Sequence, residues 1–273
     1  MKKSAHVKIV LVITLLALAC TAVFLAERQQ KDRWADKPPS APREKKEQKA
    51  ESKEEAAAKQ PAVMEPDPFS AAEENRAASV VIESSIDNLA WTTAPAVTPL
   101  KGRKISLRVS GPADGIRWYQ IYPETAKIYS NANLPWEQNP YQWKGFDRIQ
   151  YHRTELTQFR NQSLIQPFEG NNPIPPKQLA DKLKYHNTAA GTFFFQVRIL
   201  KNGRIYRSAG IEDSDNRGLS PKVLRVCVRE SDTYMGYLTS FFNVPGVFGS
   251  VTYQSVNYIG VDCADVLMAA YGK

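Results

Sequence analysis

Among the side chains able to act as nucleophiles, Cys263 has the most informative neighbours. It stands in Gly260-Val261-Asp262-Cys263-Ala264-Asp265-Val266-Leu267-Met268-Ala269-Ala270-Tyr271, which reads as a glycine turn, then a cysteine, then a helix. A thiol in the first turn of a helix faces unpaired backbone N–H groups and the positive end of the helix dipole, and both favour thiolate over thiol. That is one physical recipe for a cysteine nucleophile, and the N–H groups around Asp262 and Cys263 would be the donors for an oxyanion. The Asp262 carboxylate has two open roles: it caps the helix, or it lies beside the thiol and offsets the helix effect. Ten residues follow Cys263, too few for another pair of strands at about five or six residues each. The base for this thiol is therefore expected upstream, or is missing.

Few other residues compete. The three cysteines, Cys20, Cys227 and Cys263, do not make a disulfide framework. A Cys227–Cys263 bridge would silence Cys263. Of the three histidines, His6 precedes an apolar run, His152 lies in a polar segment and His186 stands just ahead of a hydrophobic strand. No zinc spacing, phosphate-cradling glycine loop, Ser/His/Asp arrangement or internal repeat stands out, so neither metal nor cofactor is expected. The stretch Asn133-Leu-Pro-Trp136 through Tyr141-Gln-Trp143-Lys-Gly-Phe146 is rich in aromatics. Displayed rings near prolines can stack on sugars, but aromatics under a loop are more often core, and burial is the expectation.

The elements that position these residues begin with a non-globular front. Lys2, Lys3 and Lys8 precede an uncharged apolar run from Ile9 to Ala26, close to the roughly 20 residues a membrane-spanning helix needs. The expectation is an uncleaved signal anchor over residues 1–27. It would make a single-pass membrane protein with its basic N-terminus in the cytoplasm and the rest periplasmic or at the cell surface. A cleaved signal peptide and a lipoprotein signal at Ala17-Leu-Ala-Cys20 are the alternatives, but the apolar run continues past Cys20. Residues 28–79 are rich in Lys, Glu, Gln, Ala and Pro, too poor in apolar surface to offset the entropy of ordering, and read as a disordered charged linker. Much of the basic content behind the formal charge of +8 sits in this front part, so nucleic acid is not expected as a partner.

From 80 to 170 the chain reads as a β-rich domain. Lys104 to Ser110 alternates at period two, Gly111 to Gly115 turns, and Ile116 to Tyr122 returns. The region 175–273 opens on a short helix over 177–185. A hydrophobic strand over 192–200 follows, then an Asn202-Gly203 hairpin turn and a returning strand over 204–208. In Lys222 to Arg229, Val223, Arg225, Cys227 and Arg229 share one face and Leu224, Val226 and Val228 the other, which leaves Cys227 free to sit outside the apolar layer. Ser231 to Phe242 reads as an amphipathic helix with Tyr234, Tyr237, Leu238 and Phe241 on one side.

The last thirty or so residues carry a resemblance. Asn243-Val-Pro-Gly-Val-Phe-Gly-Ser250, a spacer, and Gly260-Val-Asp262-Cys263-Ala-Asp265 together resemble the front half of the NlpC/P60 cysteine peptidase motif: a small-Pro-aromatic-Gly-Gly loop, then Gly-aromatic-Asp-Cys-Ser-Gly on the catalytic helix. Gly260, Asp262 and Cys263 match its core, and Ala264 and Asp265 stand where the family has Ser-Gly. The resemblance implies an α+β, papain-like region with Cys263 as nucleophile, hydrolysing amide bonds in peptidoglycan peptides. It fits an envelope protein bound to the inner or plasma membrane by its N-terminal helix, with a cell-wall peptide or another envelope component as partner. In that family the histidine and its orienting partner follow the cysteine, and three readings stay open. The peptidase-like region is truncated or catalytically incomplete; or the histidine precedes, as in a circularly permuted relative, and His186 is the base; or Cys263 is structural, in a non-catalytic envelope-binding or scaffold module.

Overall fold

The computed structural model describes residues 67–168, 181–185 and 189–273. The expected anchor over 1–27, most of the linker over 28–79, the Pro-rich break after Phe168 and His186 all lie outside the described residues. No helix among the described residues is long and apolar enough to cross a membrane.

The fold is mixed α+β and is organised around one long strand. The run Thr192-Phe-Phe-Phe-Gln-Val-Arg-Ile-Leu200 is bulky and partly β-branched, and it forms the middle of β9 (Gly191–Lys201). One edge of β9 is shared by two partners. Its C-terminal half pairs antiparallel with β10 (Arg204–Arg207) through the tight turn at Asn202-Gly203, where φ values of 52° and 71° supply the left-handed backbone that an Asn-Gly turn provides. Its N-terminal half pairs antiparallel with β11 (Leu224–Val228). Along the opposite edge runs β5 (Gly115–Pro123), which in turn pairs with β7 (Tyr151–Glu155). Two parallel strands, β1 (Glu73–Ala78) beside β10 and β3 (Ala96–Val97) beside β11, complete a curled seven-stranded sheet.

One face of this sheet is closed by a three-stranded sheet of β2 (Glu83–Ile86), β4 (Ile105–Arg108) and β8 (Leu164–Ile165). Trp118, Phe193, Phe195, Val197, Leu224, Val226 and Val228 meet Ile105, Leu107 and Ile165 between the two layers. The other face receives three short helices: α1 (Tyr234–Thr239), α2 (Thr252–Val256) and α3 (Cys263–Tyr271). On that face Cys227 is fully buried with Phe241, Val244, Tyr258, Ala269 and Ala270. The strand alternation read from the sequence is the one observed, but Cys227 sits within an apolar layer after all, because helices cover its face.

The ordered fold starts before residue 80, since β1 belongs to the sheet. The break expected between 170 and 175 separates no sheets, because β5 pairs with β9 over seven registered residues from Gly115 to Ile121. The helix expected over 231–242 is confined to Tyr234–Thr239, opened by the Thr233 hydroxyl accepting from the Gly236 N–H. Tyr237, Leu238 and Phe241 face the core as expected, whereas Tyr234 is exposed.

Candidate functional site

Cys263 is the first residue of α3, and its side chain is exposed. The structure fixes this position from three directions. From the helix side, Asp262 has extended backbone and caps it, its Oδ1 accepting from the Ala264 N–H at 2.9 Å and the Asp265 N–H at 2.8 Å. From the loop side, the Asp262 N–H donates to Ser250 Oγ at 2.9 Å, and that hydroxyl donates onward to Asp265 Oδ2 at 2.5 Å. From below, the Val261 N–H donates to Pro245 O and the Val247 N–H donates to Val261 O, at 3.0 and 2.9 Å. The segment Val244 to Ser250 thus holds the residues preceding the thiol in register. Gly260 permits the close approach: a Cβ there would lie 2.4 Å from Cγ2 of the buried Val247.

The Asp262 carboxylate therefore takes the capping role. The Asp262 N–H, expected among the oxyanion donors, is engaged by Ser250 Oγ, and the N–H groups of Ala264 and Asp265 are engaged by the Asp262 carboxylate. No acceptor for the Cys263 N–H is found among the described residues, which leaves that group, beside its own Sγ, as the backbone donor a bound carbonyl oxygen could meet.

Cys227 and Cys263 are both free thiols. Cys227 packs against Ala269 and Ala270, in the last turn of α3, whereas Cys263 begins the helix, about 9 Å away along an axis rising about 1.5 Å per residue. Burial pushes the Cys227 thiol up to about 11.

The described histidine, His152, lies on β7 opposite Tyr122. Its neighbour Tyr151 packs with Ile149, Val247 and Ile259, against the loop that holds Cys263, and accepts from the Leu219 N–H through its hydroxyl. Alternation along the strand turns His152 to the other face, where its Nε2 is buried with no hydrogen-bond partner among the described residues. No cluster of His, Cys, Asp and Glu able to hold a metal is found among the described residues.

A second feature adjoins the cysteine loop. β12 (Val247–Phe248) pairs parallel with β6 (Tyr129–Ser130), and β6 leads into the aromatic stretch. The expectation of burial fails there: Trp136 is 78% exposed, Tyr141 68% and Trp143 48%. The loop is nonetheless tightly built. Asn133 Nδ2 donates to the carbonyls of Gln138 and Asn139 at 2.9 and 3.1 Å, and Ala132 and Trp143 form an antiparallel bridge. Tyr141 has φ of 64°, a left-handed backbone that costs a side-chain-bearing residue about 1–2 kcal/mol. Beneath the loop, the buried Asn131 Nδ2 donates to Oε1 of the buried Gln254 in α2 at 2.9 Å, and Asn131 Oδ1 accepts from the Asp147 N–H at 3.0 Å. Sequence reading missed this display because hydropathy does not say whether another layer covers a loop. Asn133 and the left-handed Asn139 were the available signals of a self-braced turn.

Comparison with known protein families, with characterised proteins and with solved structures returns no match to this chain.

Proposed function

We propose that this chain is an extracytoplasmic envelope protein, held at the membrane by its apolar run near the N-terminus, in which Cys263 serves as a thiol nucleophile toward amide bonds of cell-wall peptides. The observation that carries the reading is the placement of Cys263: an exposed thiol on the first residue of a capped nine-residue helix, with its own N–H left for an oxyanion. The similarity of the preceding loop and of Gly260, Asp262 and Cys263 to the NlpC/P60 motif supports it. In this reading Sγ attacks the substrate carbonyl carbon, the Cys263 N–H stabilises the oxyanion, and the thiol proton passes to a base and then to the leaving amine. His152 faces away, so the reading assigns the base to His186.

The test is the rate of carbamidomethylation at neutral pH in the full chain, resolved by peptide mass spectrometry. Exposure alone makes Cys263 faster than Cys227, so the deciding comparison is Cys263 in the folded chain against Cys263 in urea. An activated thiol reacts faster when folded, and His186→Ala removes the difference. Equal rates in both states sink the nucleophile reading. They favour the second one, a non-catalytic envelope-binding module, which the exposed aromatic loop supports.

A further inference from the structure

We propose that the loop from Asn131 to Asp147 is a glycan-binding surface, on which Trp136, Tyr141 and Trp143 stack against the apolar faces of pyranose rings. The inference does not depend on the thiol reading. Three large aromatic side chains on one loop are exposed; Tyr141 meets Phe248 and Trp143 meets Phe146 on one side only, so hydrophobic burial returns only part of its full value for them within this chain. Yet the loop is not slack. Its backbone is cross-braced by Asn133, the Leu134 N–H donates to Glu137 Oε2 at 2.7 Å, and Tyr141 is kept in a left-handed conformation. Strain retained at a displayed aromatic points to a ligand rather than to packing.

The groups between the rings select the ligand class. Glu137, Lys144 and Asp147 interleave with the aromatics. Ser130, Lys144, Gly145, Phe146 and Asp147 line an adjoining cleft of about 250 Å³, and the Phe146 ring meets Trp143 edge-to-face at 5.1 Å. A pyranose offers the matching pattern: a C–H face for the ring, and hydroxyl or acetamido groups at its edge that can add to the long, 3.9 Å Lys144–Glu137 and Lys127–Asp147 pairs, whose oxygens and ammonium hydrogens keep further hydrogen-bonding capacity. Single-stranded nucleic acid also stacks on aromatics but needs a track of cations. Here Lys144 is paired with Glu137 and Lys127 with Asp147, each at 3.9 Å. A bilayer interface would have to accept both carboxylates among the rings.

The experiment titrates the full chain in detergent with the β-1,4-linked tetramer of N-acetylglucosamine and follows tryptophan emission and heat. Saturable binding is expected, weakened about tenfold by Trp136→Ala and again by Trp143→Ala. Circular dichroism should be unchanged, because both rings are exposed. Trp136→Phe is expected to keep most of the affinity, and Cys263→Ser all of it, which separates this proposal from the thiol reading. Absence of tetramer binding, or binding that both alanine variants retain, overturns the proposal. In a parallel arm, the chain is reconstituted in phosphatidylglycerol vesicles. Quenching of emission by brominated lipid that disappears in the double alanine variant, without tetramer binding, overturns it in favour of a bilayer contact.

Discussion

The missing side chain at Gly260 decides whether the segment leading to Cys263 can lie against Val247. Val247 is buried and β-branched, so it has little room to turn away from an added methyl. Gly260→Ala is expected to cost about 1–3 kcal/mol by overpacking. It should also shift the Cys263 amide and Cβ resonances in heteronuclear NMR spectra, whereas Gly246→Ala, with open space at its Cβ, should leave them nearly unchanged. The cysteine at a helix start was legible from the sequence, and capping was one of the two roles open to Asp262, because both are local, three-residue relations. The Ser250 hydroxyl bridging Asp262 and Asp265 was not legible, since it joins residues twelve and fifteen positions apart. The loop between them gives no periodic signal.

At the scale of elements, α3 depends on its cap more than on its composition. Asp262→Ala removes the acceptor for two N–H groups and is expected to lower stability by about 1 kcal/mol, a fall of about 2–4 °C in thermal midpoint for a domain of this size. Asp262→Asn should recover most of that loss, since an amide oxygen caps nearly as well. The β9–β10 hairpin was the most readable element, because Asn-Gly between alternating apolar runs dictates both turn and register. The two faces of β11 were equally readable, but what covered the second face was not. α1 stops well short of the residue where the hydrophobic spacing ends, and Phe241 reaches the core from the turns that follow it. Spacing identified Tyr237, Leu238 and Phe241 on the buried face but not the exposure of Tyr234, and it overestimated the length.

Among the described residues, strands from the expected β-rich region and from the expected peptidase-like region share one sheet through β5 and β9, a long-range pairing that leaves no mark on local composition. Charge ties three of its strands together. Glu212 lies among Arg153 on β7, Arg198 on β9 and Arg207 on β10, at 2.5, 3.9 and 4.0 Å, and accepts from Gln196 Nε2 at 2.7 Å. Burial by itself would raise its pKa, but the hydrogen bonds and the arginine outweigh it, and the carboxyl sits below the ordinary glutamate value. A depressed carboxyl contributes stability that is fully present above its unfolded pKa of about 4.3 and is lost as pH falls through the folded value. Glu212→Gln is therefore expected to cost about 1–2 kcal/mol at neutral pH. In urea melts run from pH 7 to pH 3, the gap between variant and parent should close in the acid range. A gap that stays constant would show that the charge is not what matters. Removing β1 is a second check at this scale. A chain starting at residue 80 lacks the partner of β10 and the Glu74–Arg198 ion pair, and should melt below one starting at residue 67.

The parallel pairing of β6 with β12 has a consequence for the order in which the fold assembles. Asn131 and Gly249 meet across 118 positions of sequence, while the β9–β10 turn closes within two residues. Closing a large loop carries an entropic penalty that only later contacts repay. The hairpin is therefore expected to acquire protection from hydrogen exchange early in refolding. The surroundings of Cys263 and the aromatic loop should gain theirs together and late. Until that step the thiol belongs to an open chain, and whatever reactivity the folded protein gives it appears only at the end of folding.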